Sequence, residues 1–467
     1  MRSVLITVLM AFATMSAFPD IDLVLDPGAV IGPVKPMNAV NNGPKKPRAS
    51  DQTCGTFEPF KQARIPFART HDSINEATSN GHTVDISAIF PNFEADENDP
   101  ANYDFTYTDE FLKTLLDAGT EPFFRLGQTI ENGIKKYHTR PPKDFAKWAR
   151  ICEHVIAHYT EGWADGFTWR LTYWEIWNEA DAQLDADCLK SAQWGGTKAQ
   201  FFEFYETAAK HLKARFPNLK IGGPALGCRM DWATDFIKYQ RAHGTPIDFF
   251  SWHVYQGGVP RMRNQSREVR KLLDDNGYEK TESILDEWNY VKGWTHEFPY
   301  SRIAMSSAKG AAFVAAAMSA CQDSPVDMLM YYDVRSVTCY NGLFDFYTLA
   351  PRQAYYAFLA WAELRDRGTR VKSTVSGKFV DDIVESTAAV GKDGKVALLL
   401  SRFCDDNNRT AAEKVTVRFA GDHRFKGRFT AQLTDANHLG SAYPLAASGD
   451  GALVFSLEPN SFIYLAE

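Results

Sequence analysis

The spacing of apolar positions divides the chain near residue 368. Before that point, short strand-like runs of apolar residues alternate with longer stretches in which apolar residues recur with the period of a helix. The eight strand-like runs cover residues 34–40, 66–70, 121–127, 172–178, 220–227, 248–255, 283–289 and 326–334. Helical stretches include residues 142–159, 199–216, 232–244, 308–320 and 352–368. This alternation predicts an α/β fold, a (β/α)8 TIM barrel over residues 34–368.

A doubly wound open sheet is the alternative architecture for such an alternation. It would need a glycine-rich phosphate-binding loop directly after a strand. The nearest match is the run that begins at Gly222, in which Pro224 and the spacing of the glycines do not fit such a loop. The barrel is therefore the preferred prediction.

After residue 368 the period changes to that of strands. Apolar and polar positions alternate in residues 395–403, 413–421, 427–435, 452–457 and 461–467, with turn-forming sequences between them. This pattern predicts an accessory β-sandwich domain over residues 369–467. An early strand-like segment, residues 18–33, is predicted to add a strand to that sandwich.

Two glutamates stand at the ends of predicted barrel strands. This position is unusual, because most Glu side chains are solvated at the protein surface and these strands are expected to be buried. Glu179 follows Asn178 at the end of the fourth strand, and Glu287 closes the seventh. The carboxyl ends of barrel strands surround one mouth, so both side chains are expected to face one cavity. Two such carboxyl groups are what glycosidic bond cleavage requires, one protonated and one ionised. Ion pairs at the barrel rim are the alternative explanation.

The sequence contains "RTHD" at residues 69–72, "YWEIWNEAD" at 173–181, "SWHVY" at 251–255 and "ILDEWNY" at 284–290. These motifs resemble those of the clan A glycoside hydrolases, in particular glycoside hydrolase family 39, the β-xylosidase and α-L-iduronidase family. The resemblance covers nearly the whole chain. It implies that Glu179 is the general acid/base, that Glu287 is the nucleophile and that Asn178 donates a hydrogen bond to the sugar 2-hydroxyl. It also implies that three residues hold the sugar or orient the nucleophile: His71, His253 and Tyr255.

Two features depart from the family pattern. Ala180 stands where the family usually has proline after Asn-Glu. The eighth strand has Tyr332, Asp333 and Arg335 where xylosidases of the family carry Trp and acidic residues that contact the sugar. The second departure leaves the identity of the sugar open.

Several candidate substrate-binding residues have a structural alternative. His71 and His253 are candidate sugar ligands or core histidines, and Trp288 and Tyr332 are candidate sugar platforms or packing residues. Arg335 is a candidate ligand for a uronate carboxylate, because a guanidinium can bind a carboxylate through two hydrogen bonds, or a simple ion-pair partner of Asp333.

Charge and composition limit the kinds of molecule that the protein is expected to bind. The 467 residues carry 51 Lys and Arg against 58 Asp and Glu, a net charge of −7, so no basic field for nucleic acid is indicated. None of the 7 cysteines forms a C-x-x-C pair, and no metal or other cofactor is predicted. Residues 1–17 have the layout of a secretory signal peptide, which predicts export to the extracellular space or periplasm and no membrane anchor.

Together these features predict a secreted, retaining exo-glycoside hydrolase that removes a terminal sugar by double displacement. The resemblance makes β-D-xylosidase the preferred activity. The alternatives are a β-galactosidase, an α-L-arabinosidase or an α-L-iduronidase-like hydrolase on the same scaffold. A non-catalytic carbohydrate-binding barrel is the alternative of a different class. The oligomeric state stays open.

Overall fold

The structure of the protein is a computed structural model. It describes residues 21–47, 55–72, 83–131, 133–182, 191, 193–227, 229–377, 382–421, 429–447 and 451–467. The predicted signal peptide lies outside the described residues. The first described strand, β1 (Ile21–Pro33), belongs to the sheet of the C-terminal domain.

Eight parallel strands close into a barrel in the order in which they occur along the chain. They are β2 (Ala39–Asn41), β3 (Phe67–Arg69), β4 (Glu121–Leu126), β5 (Tyr173–Ile176), β6 (Lys220–Leu226), β7 (Phe249–Val254), β8 (Glu282–Trp288) and β9 (Met328–Tyr331). Each strand overlaps one of the eight apolar runs of the sequence. The predicted (β/α)8 barrel is therefore confirmed.

Helices follow the strands and cover the outside of the barrel. They are α1 (Phe57–Gln62), α2 (Ile86–Ile89), α3 (Thr106–Asp117), α4 (Phe145–Thr160), α5 (Lys198–Arg215), α6 (Met230–Ala242), α7 (Gly258–Asp275), α8 (Phe298–Met305), α9 (Ala308–Gln322) and α10 (Gln353–Arg367). Local signals fix several of their starts. The Asp144 side chain caps α4, and Thr197 with Gln200 forms a reciprocal capping box at α5.

Alternation along the strands sorts side chains between the barrel interior and the helices. The interior near the amino ends of the strands is filled by apolar and aromatic residues: Ala39, Phe123, Tyr173, Phe249, Ile284, Met328 and Met330. Phe123 stacks on Tyr173, and Phe249 contacts both rings edge-on. Because this layer closes the lower end of the barrel, polar chemistry is confined to the layers above it.

The C-terminal domain is a ten-stranded sheet in the order β15-β14-β18-β12-β11-β10-β1-β13-β17-β16. Its strands after β1 are β10 (Thr369–Ser376), β11 (Asp382–Val390), β12 (Val396–Cys404), β13 (Glu413–Phe419), β14 (Thr430–Thr434), β15 (Ser441–Ala442), β16 (Ala446–Ala447), β17 (Leu453–Leu457) and β18 (Ser461–Ala466). Strand β1 pairs antiparallel with β10 and parallel with β13. Residues from both halves of the sheet pack into one core, for example Leu433 and Ile463 with Val415 and Phe455. The sheet therefore folds over on itself as a sandwich.

The other face of this sheet packs against the barrel helices. Every residue of β12 is buried, because its two faces contact two different cores. On the barrel side, Phe403 contacts Phe313 of α9, which in turn contacts Trp288 of β8.

Of the helices that the structure describes, none alone is long and apolar enough to cross a membrane; only α8 and α9 together meet that criterion, and they are bent by 79°.

Candidate active site

Glu179 and Glu287 meet at the carboxyl ends of the barrel strands. One carboxylate oxygen of Glu179, one of Glu287 and a ring nitrogen of His253 all lie within 4.8 Å of one another. The Glu287 side chain is almost completely buried, whereas that of Glu179 is 19% exposed. The two carboxyl groups therefore occupy one cavity but differ in their access to solvent.

A β-bulge turns Glu287 into the barrel. Trp252 pairs with Leu285 and His253 pairs with Glu287, so Asp286 is an extra residue in β8. Without this bulge, alternation would point Asp286 and Glu287 to opposite faces. With it, both carboxylates face the interior, where they approach Arg69.

The end of β5 has an unusual backbone that places Glu179. Trp177 has φ +72° and Glu179 has φ +44°, a left-handed conformation that few non-glycine residues adopt. The Trp177 amide donates to the Leu126 carbonyl and the Glu179 amide to the Ala225 carbonyl, so neighbouring strands hold this turn. Backbone strain of this kind is concentrated at functional sites.

Arg69 connects the polar layer beneath the two glutamates. It is fully buried, and its Nε lies 2.6 Å from Glu175 Oε2 and 3.1 Å from Asp286 Oδ2. Its Nη1 lies 2.7 Å from Glu287 Oε1, and its Nη2 donates to Asn178 Oδ1 at 2.7 Å. One guanidinium thus orients the proposed nucleophile and the neighbouring amide together.

Glu287 is surrounded by groups that favour its ionised form. Tyr255 donates a hydrogen bond from its hydroxyl to Glu287 Oε2 at 2.6 Å. Burial alone would raise the pKa of the Glu287 carboxyl, yet this pKa lies below its usual value. The opposing causes are the electrostatic influence of His253, His71 and Arg69 and the hydrogen bond from Tyr255. An ionised carboxylate is the form that a nucleophile needs.

Glu179 has a different set of contacts. His253 Nδ1 lies 2.7 Å from Glu179 Oε1, and Gln193 Nε2 donates to Glu179 Oε2 at 3.2 Å. Gly227 lies beside the same carboxyl group, because a Cβ built on it would be 3.4 Å from Glu179 Oε1. The carboxyl group is thereby held between three elements of the barrel mouth.

The surroundings of His253 favour its protonated form. Burial would lower the pKa of His253, but the charges of Glu287 and Asp286 and hydrogen bonds to Asp286 and Glu179 raise it well above its usual value. Its Nε2 lies 3.5 Å from Asp286 Oδ1. Burial and the Asp286 carboxylate also raise the pKa of Glu175 to about 8, against the charge of Arg69. The pKa of the neighbouring Asp286 carboxyl lies below its usual value despite burial, because of the charges of Arg69 and His253.

His71 and Tyr332 lie on the opposite side of Glu287. His71 Nε2 is 3.4 Å from Glu287 Oε1, and its Nδ1 is 2.8 Å from Asp72 Oδ1. Tyr332 donates its hydroxyl to Asp72 Oδ2 at 2.5 Å, and its ring contacts His71 edge-on. Both predicted residues therefore lie at the site, and both contact Asp72. The sequence interpretation did not select Asp72.

Asp333 and Arg335 form an ion pair. Arg335 Nη2 lies 2.7 Å from Asp333 Oδ2 and 3.4 Å from Asp72 Oδ2, and Arg335 Nη1 donates to the Asp72 carbonyl. Two carboxylates thus already neutralise this guanidinium. The ion-pair interpretation fits these contacts, and the uronate interpretation does not.

The structure contradicts the prediction that Trp288 contacts the substrate. Its side chain is completely buried outside the barrel, where the ring packs against Tyr331 and Phe313. The bulge at Asp286 explains this position, because Trp288 returns to the outer face after Glu287 has turned inward. The sequence "DEWN" gives no sign of the bulge.

The sequence interpretation missed Arg69, Asp72, Gln193 and also Tyr340, whose ring centroid lies 5.2 Å from that of Tyr332. Arg69 and Asp72 belong to the quoted "RTHD" motif, so their place at a strand end was the available signal. Gln193 and Tyr340 lie in loops, where no periodicity marks a residue as functional. A separate groove of about 720 Å³ lies between α9 and the C-terminal sheet and is lined among others by Lys309, Arg352 and Asn460. None of the site residues around Glu179 and Glu287 lines this groove.

Two of the sequence relatives with curated names are β-xylosidases. The chain is 27% identical over 238 residues to a β-xylosidase of Geobacillus stearothermophilus, covering 48% of this chain and 44% of that enzyme. It is 22% identical over 404 residues to a β-xylosidase of Caldicellulosiruptor saccharolyticus, covering 79% of this chain and 76% of that enzyme. The first match thus spans less than half of the relative's length.

Solved structures show the same fold. A glucosidase from Croceicoccus marinus matches with a TM-score of 0.76 at 21% identity, covering 95% of this chain and 98% of that one. A family 39 β-xylosidase from Caulobacter crescentus matches with a TM-score of 0.68 at 16% identity, covering 95% and 99%. The model of glycosyl hydrolases family 39 matches residues 48–344, more than half of the chain. The resemblance that the motifs indicated is thereby confirmed, and the chain belongs to glycosyl hydrolase family 39.

Proposed function

We propose that this glycoside hydrolase acts with retention of anomeric configuration, through Glu287 as nucleophile and Glu179 as general acid/base. The observation that carries the proposal is the separation of less than 4.8 Å between oxygens of the two carboxyl groups. Retaining enzymes hold their carboxyl groups about 5–5.5 Å apart, whereas inverting enzymes leave room for a water at about 6.5–9.5 Å. The short separation therefore favours direct attack by a carboxylate.

In the first step, a Glu287 oxygen attacks the anomeric carbon while the bond to the leaving oxygen breaks. Glu179 gives that oxygen its proton, and the sugar is left as an ester of Glu287. In the second step, the Glu179 carboxylate takes a proton from water, whose oxygen attacks the same carbon and releases Glu287. His253 positions Glu179 for both steps, because its Nδ1 lies 2.7 Å from Glu179 Oε1.

Asn178 fits the role of donor to the sugar 2-hydroxyl. Its Oδ1 accepts from Arg69, while its buried Nδ2 has no hydrogen-bond partner among the described residues. An unsatisfied buried donor is costly, and a substrate hydroxyl would satisfy it. Hydrogen bonds to this hydroxyl strengthen as the oxocarbenium-like transition state forms.

The preferred substrate is a β-D-xyloside, which is supported by the names of two curated relatives. A glucoside is a second candidate, because the structure with a TM-score of 0.76 is that of a glucosidase. The neutralised Arg335 makes an iduronide the least favoured of the alternatives. The galactoside and the arabinosides stay open, because pocket specificity depends on displacements of about an ångström.

Two variants test the division of roles. Glu287→Ala should abolish turnover of every glycoside. Glu179→Ala should lose most activity on poor leaving groups but retain it on activated aryl glycosides, because their departure needs little proton donation. Equal losses for both classes of leaving group would refute the assignment of Glu179.

Stereochemistry tests the mechanism itself. Proton NMR of the first-formed product should show the anomer of the substrate, and an inverted product would refute Glu287 as nucleophile. A non-catalytic carbohydrate-binding barrel would bind nitrophenyl glycosides saturably without releasing nitrophenol.

Substrate choice is tested by measuring kcat/KM for nitrophenyl β-xyloside, β-glucoside, β-galactoside, the arabinosides and an iduronide. If the xyloside trails another sugar by more than about tenfold, or roughly 1.4 kcal/mol, the xylosidase proposal fails.

Export is a separate proposal that rests on residues 1–17. Amino-terminal sequencing of the protein recovered outside the cytoplasm should show a new start after the predicted signal.

A further inference from the structure

An aromatic wall extends from the proposed nucleophile to the rim of the barrel mouth. We define it as Tyr255, Tyr332, Tyr340, Trp294 and Phe298. Tyr255 lies 5.2 Å from Trp294, 6.5 Å from Tyr332 and 6.3 Å from Tyr340, measured between ring centroids. Phe298 closes the set, 5.6 Å from Trp294 and 5.7 Å from Tyr340. The rings form one continuous surface that begins at Glu287, where Tyr255 contacts the carboxylate.

Burial orders the members of this wall by depth. Tyr255 is at the deep end, because its hydroxyl bonds to Glu287, and Tyr332 beside it is 9% exposed. Tyr340 is partly exposed, and Trp294 is at the outer end with 46% exposure. A sugar with its anomeric carbon at Glu287 occupies the deep end. The leaving group departs from the face opposite Glu287, on the side of Glu179, and the greater exposure of the Glu179 side chain places that side nearer the rim.

Contacts on both sides position the Trp294 ring. Its ring stacks on Phe298 with 30° between the planes. The segment before it is anchored to the C-terminal domain, because Tyr290 donates to Asp405 Oδ1 at 2.5 Å and Lys292 pairs with Asp405 at 3.3 Å. After it, the Phe298 amide donates to the Thr295 carbonyl at 3.1 Å. An aromatic ring fixed in this way can bind a ligand with little loss of side-chain entropy.

We propose that Trp294 is a specificity residue that binds the ring of the leaving group, either a second sugar or an aryl group, against its exposed face. This inference rests on the proposed function, because it needs a glycoside bound between Glu179 and Glu287. The face of an indole attracts the C–H surface of a sugar and stacks with aryl rings. Leaving groups without a ring gain nothing from it.

The experiment compares three glycosides that share one sugar, chosen as the sugar which the native protein hydrolyses fastest. Their leaving groups are nitrophenol, a second sugar and fluoride. In Trp294→Ala, kcat/KM should fall about tenfold for the nitrophenyl glycoside and the disaccharide and stay within about twofold for the glycosyl fluoride. For the nitrophenyl glycoside, a kcat limited by hydrolysis of the glycosyl ester should not change, because the leaving group has already departed. Trp294→Phe should restore most of kcat/KM.

Tyr347→Ala is the matched control. Tyr347 is an exposed aromatic residue in the loop after β9, 88% exposed and outside the wall. Its removal should leave all three substrates unaffected.

Two outcomes would overturn the proposal. An equal loss for the fluoride would place Trp294 against the sugar at the carboxylates, and no loss with any substrate would make it a surface residue without a ligand. If the native protein released no leaving group from any glycoside, the proposed function would fail, and this proposal with it. The two failures differ in the native protein: it is inactive if the proposed function fails, and it is active if only the role of Trp294 is wrong.

Discussion

Tyr255→Phe isolates the hydrogen bond that holds the proposed nucleophile in its ionised form. The change removes one oxygen, which lies 2.6 Å from Glu287 Oε2, and leaves the ring contacts with Trp294 and Tyr340 in place. The Glu287 side chain is almost completely buried, so bulk solvent offers little replacement for the lost donor. The effect should therefore appear in the titration of Glu287.

The direction and size of this effect follow from the contact. The hydrogen bond from Tyr255 lowers the pKa of Glu287, so its loss raises that pKa. A hydrogen bond to a charged group contributes about 1.5–3 kcal/mol, and one pH unit corresponds to about 1.4 kcal/mol. Activity needs the ionised carboxylate and is lost as pH falls through its pKa. The acidic limb of the profile should thus move to higher pH by about one to two units.

The assay is kcat/KM for an activated nitrophenyl glycoside from about pH 3 to pH 8, since kcat/KM reports the pKa values of the free enzyme. Tyr347→Phe removes a hydroxyl from an exposed tyrosine and should leave the profile unchanged. If the acidic limb of Tyr255→Phe coincided with that of the native protein, Glu287 would not be the group that titrates there, or Tyr255 would not stabilise it.

Three further changes test other parts of the site. Arg69→Met leaves buried carboxylates without their counter-charge and should lower the free energy of unfolding by about 3–5 kcal/mol, measured by denaturant titration; an unchanged midpoint would contradict the role of this guanidinium. Asn178→Ala should lower kcat/KM about 10- to 100-fold for a normal substrate but much less for its 2-deoxy analogue, and equal losses would exclude a contact with the 2-hydroxyl. Gly227→Ala would place a Cβ 3.2 Å from Asp181 Oδ1, which is a tight contact, and 3.4 Å from Glu179 Oε1, which is an ordinary one, so a shift of Asp181 should lower kcat/KM by up to about tenfold on substrates with poor leaving groups; full activity would contradict this expectation.

The large features of the fold could be predicted because each depends on a local period. The eight apolar runs became the eight barrel strands, and the change of period after residue 368 marked the C-terminal sheet. The run at residues 395–403 was grouped with the alternating strands, but every residue of β12 is buried, because the strand lies between the sandwich core and α9. The period of apolar residues does not show that other elements will pack on both faces of a strand.

The site was predictable only where a residue type at a strand end was itself informative. Glu179 and Glu287 were selected on this ground, and the structure brings them into one cavity. Trp288 was selected by the same reasoning, and the bulge at Asp286 turns it outward. Tyr340 was missed, because a loop residue enters the site only through the path of the loop.

The sequence by itself determined the barrel, the C-terminal sheet and the two carboxyl groups, since hydrophobic spacing and strand-end position are properties of neighbouring residues. Tertiary structure alone decided the state and surroundings of those groups. Arg69 contacts Glu175, Asp286 and Glu287 across 106 to 218 residues of chain. It therefore influences carboxyl groups that no local pattern relates to it. The physical reason is that burial and charge act through distance in space, and barrel closure brings together strands that are far apart along the chain.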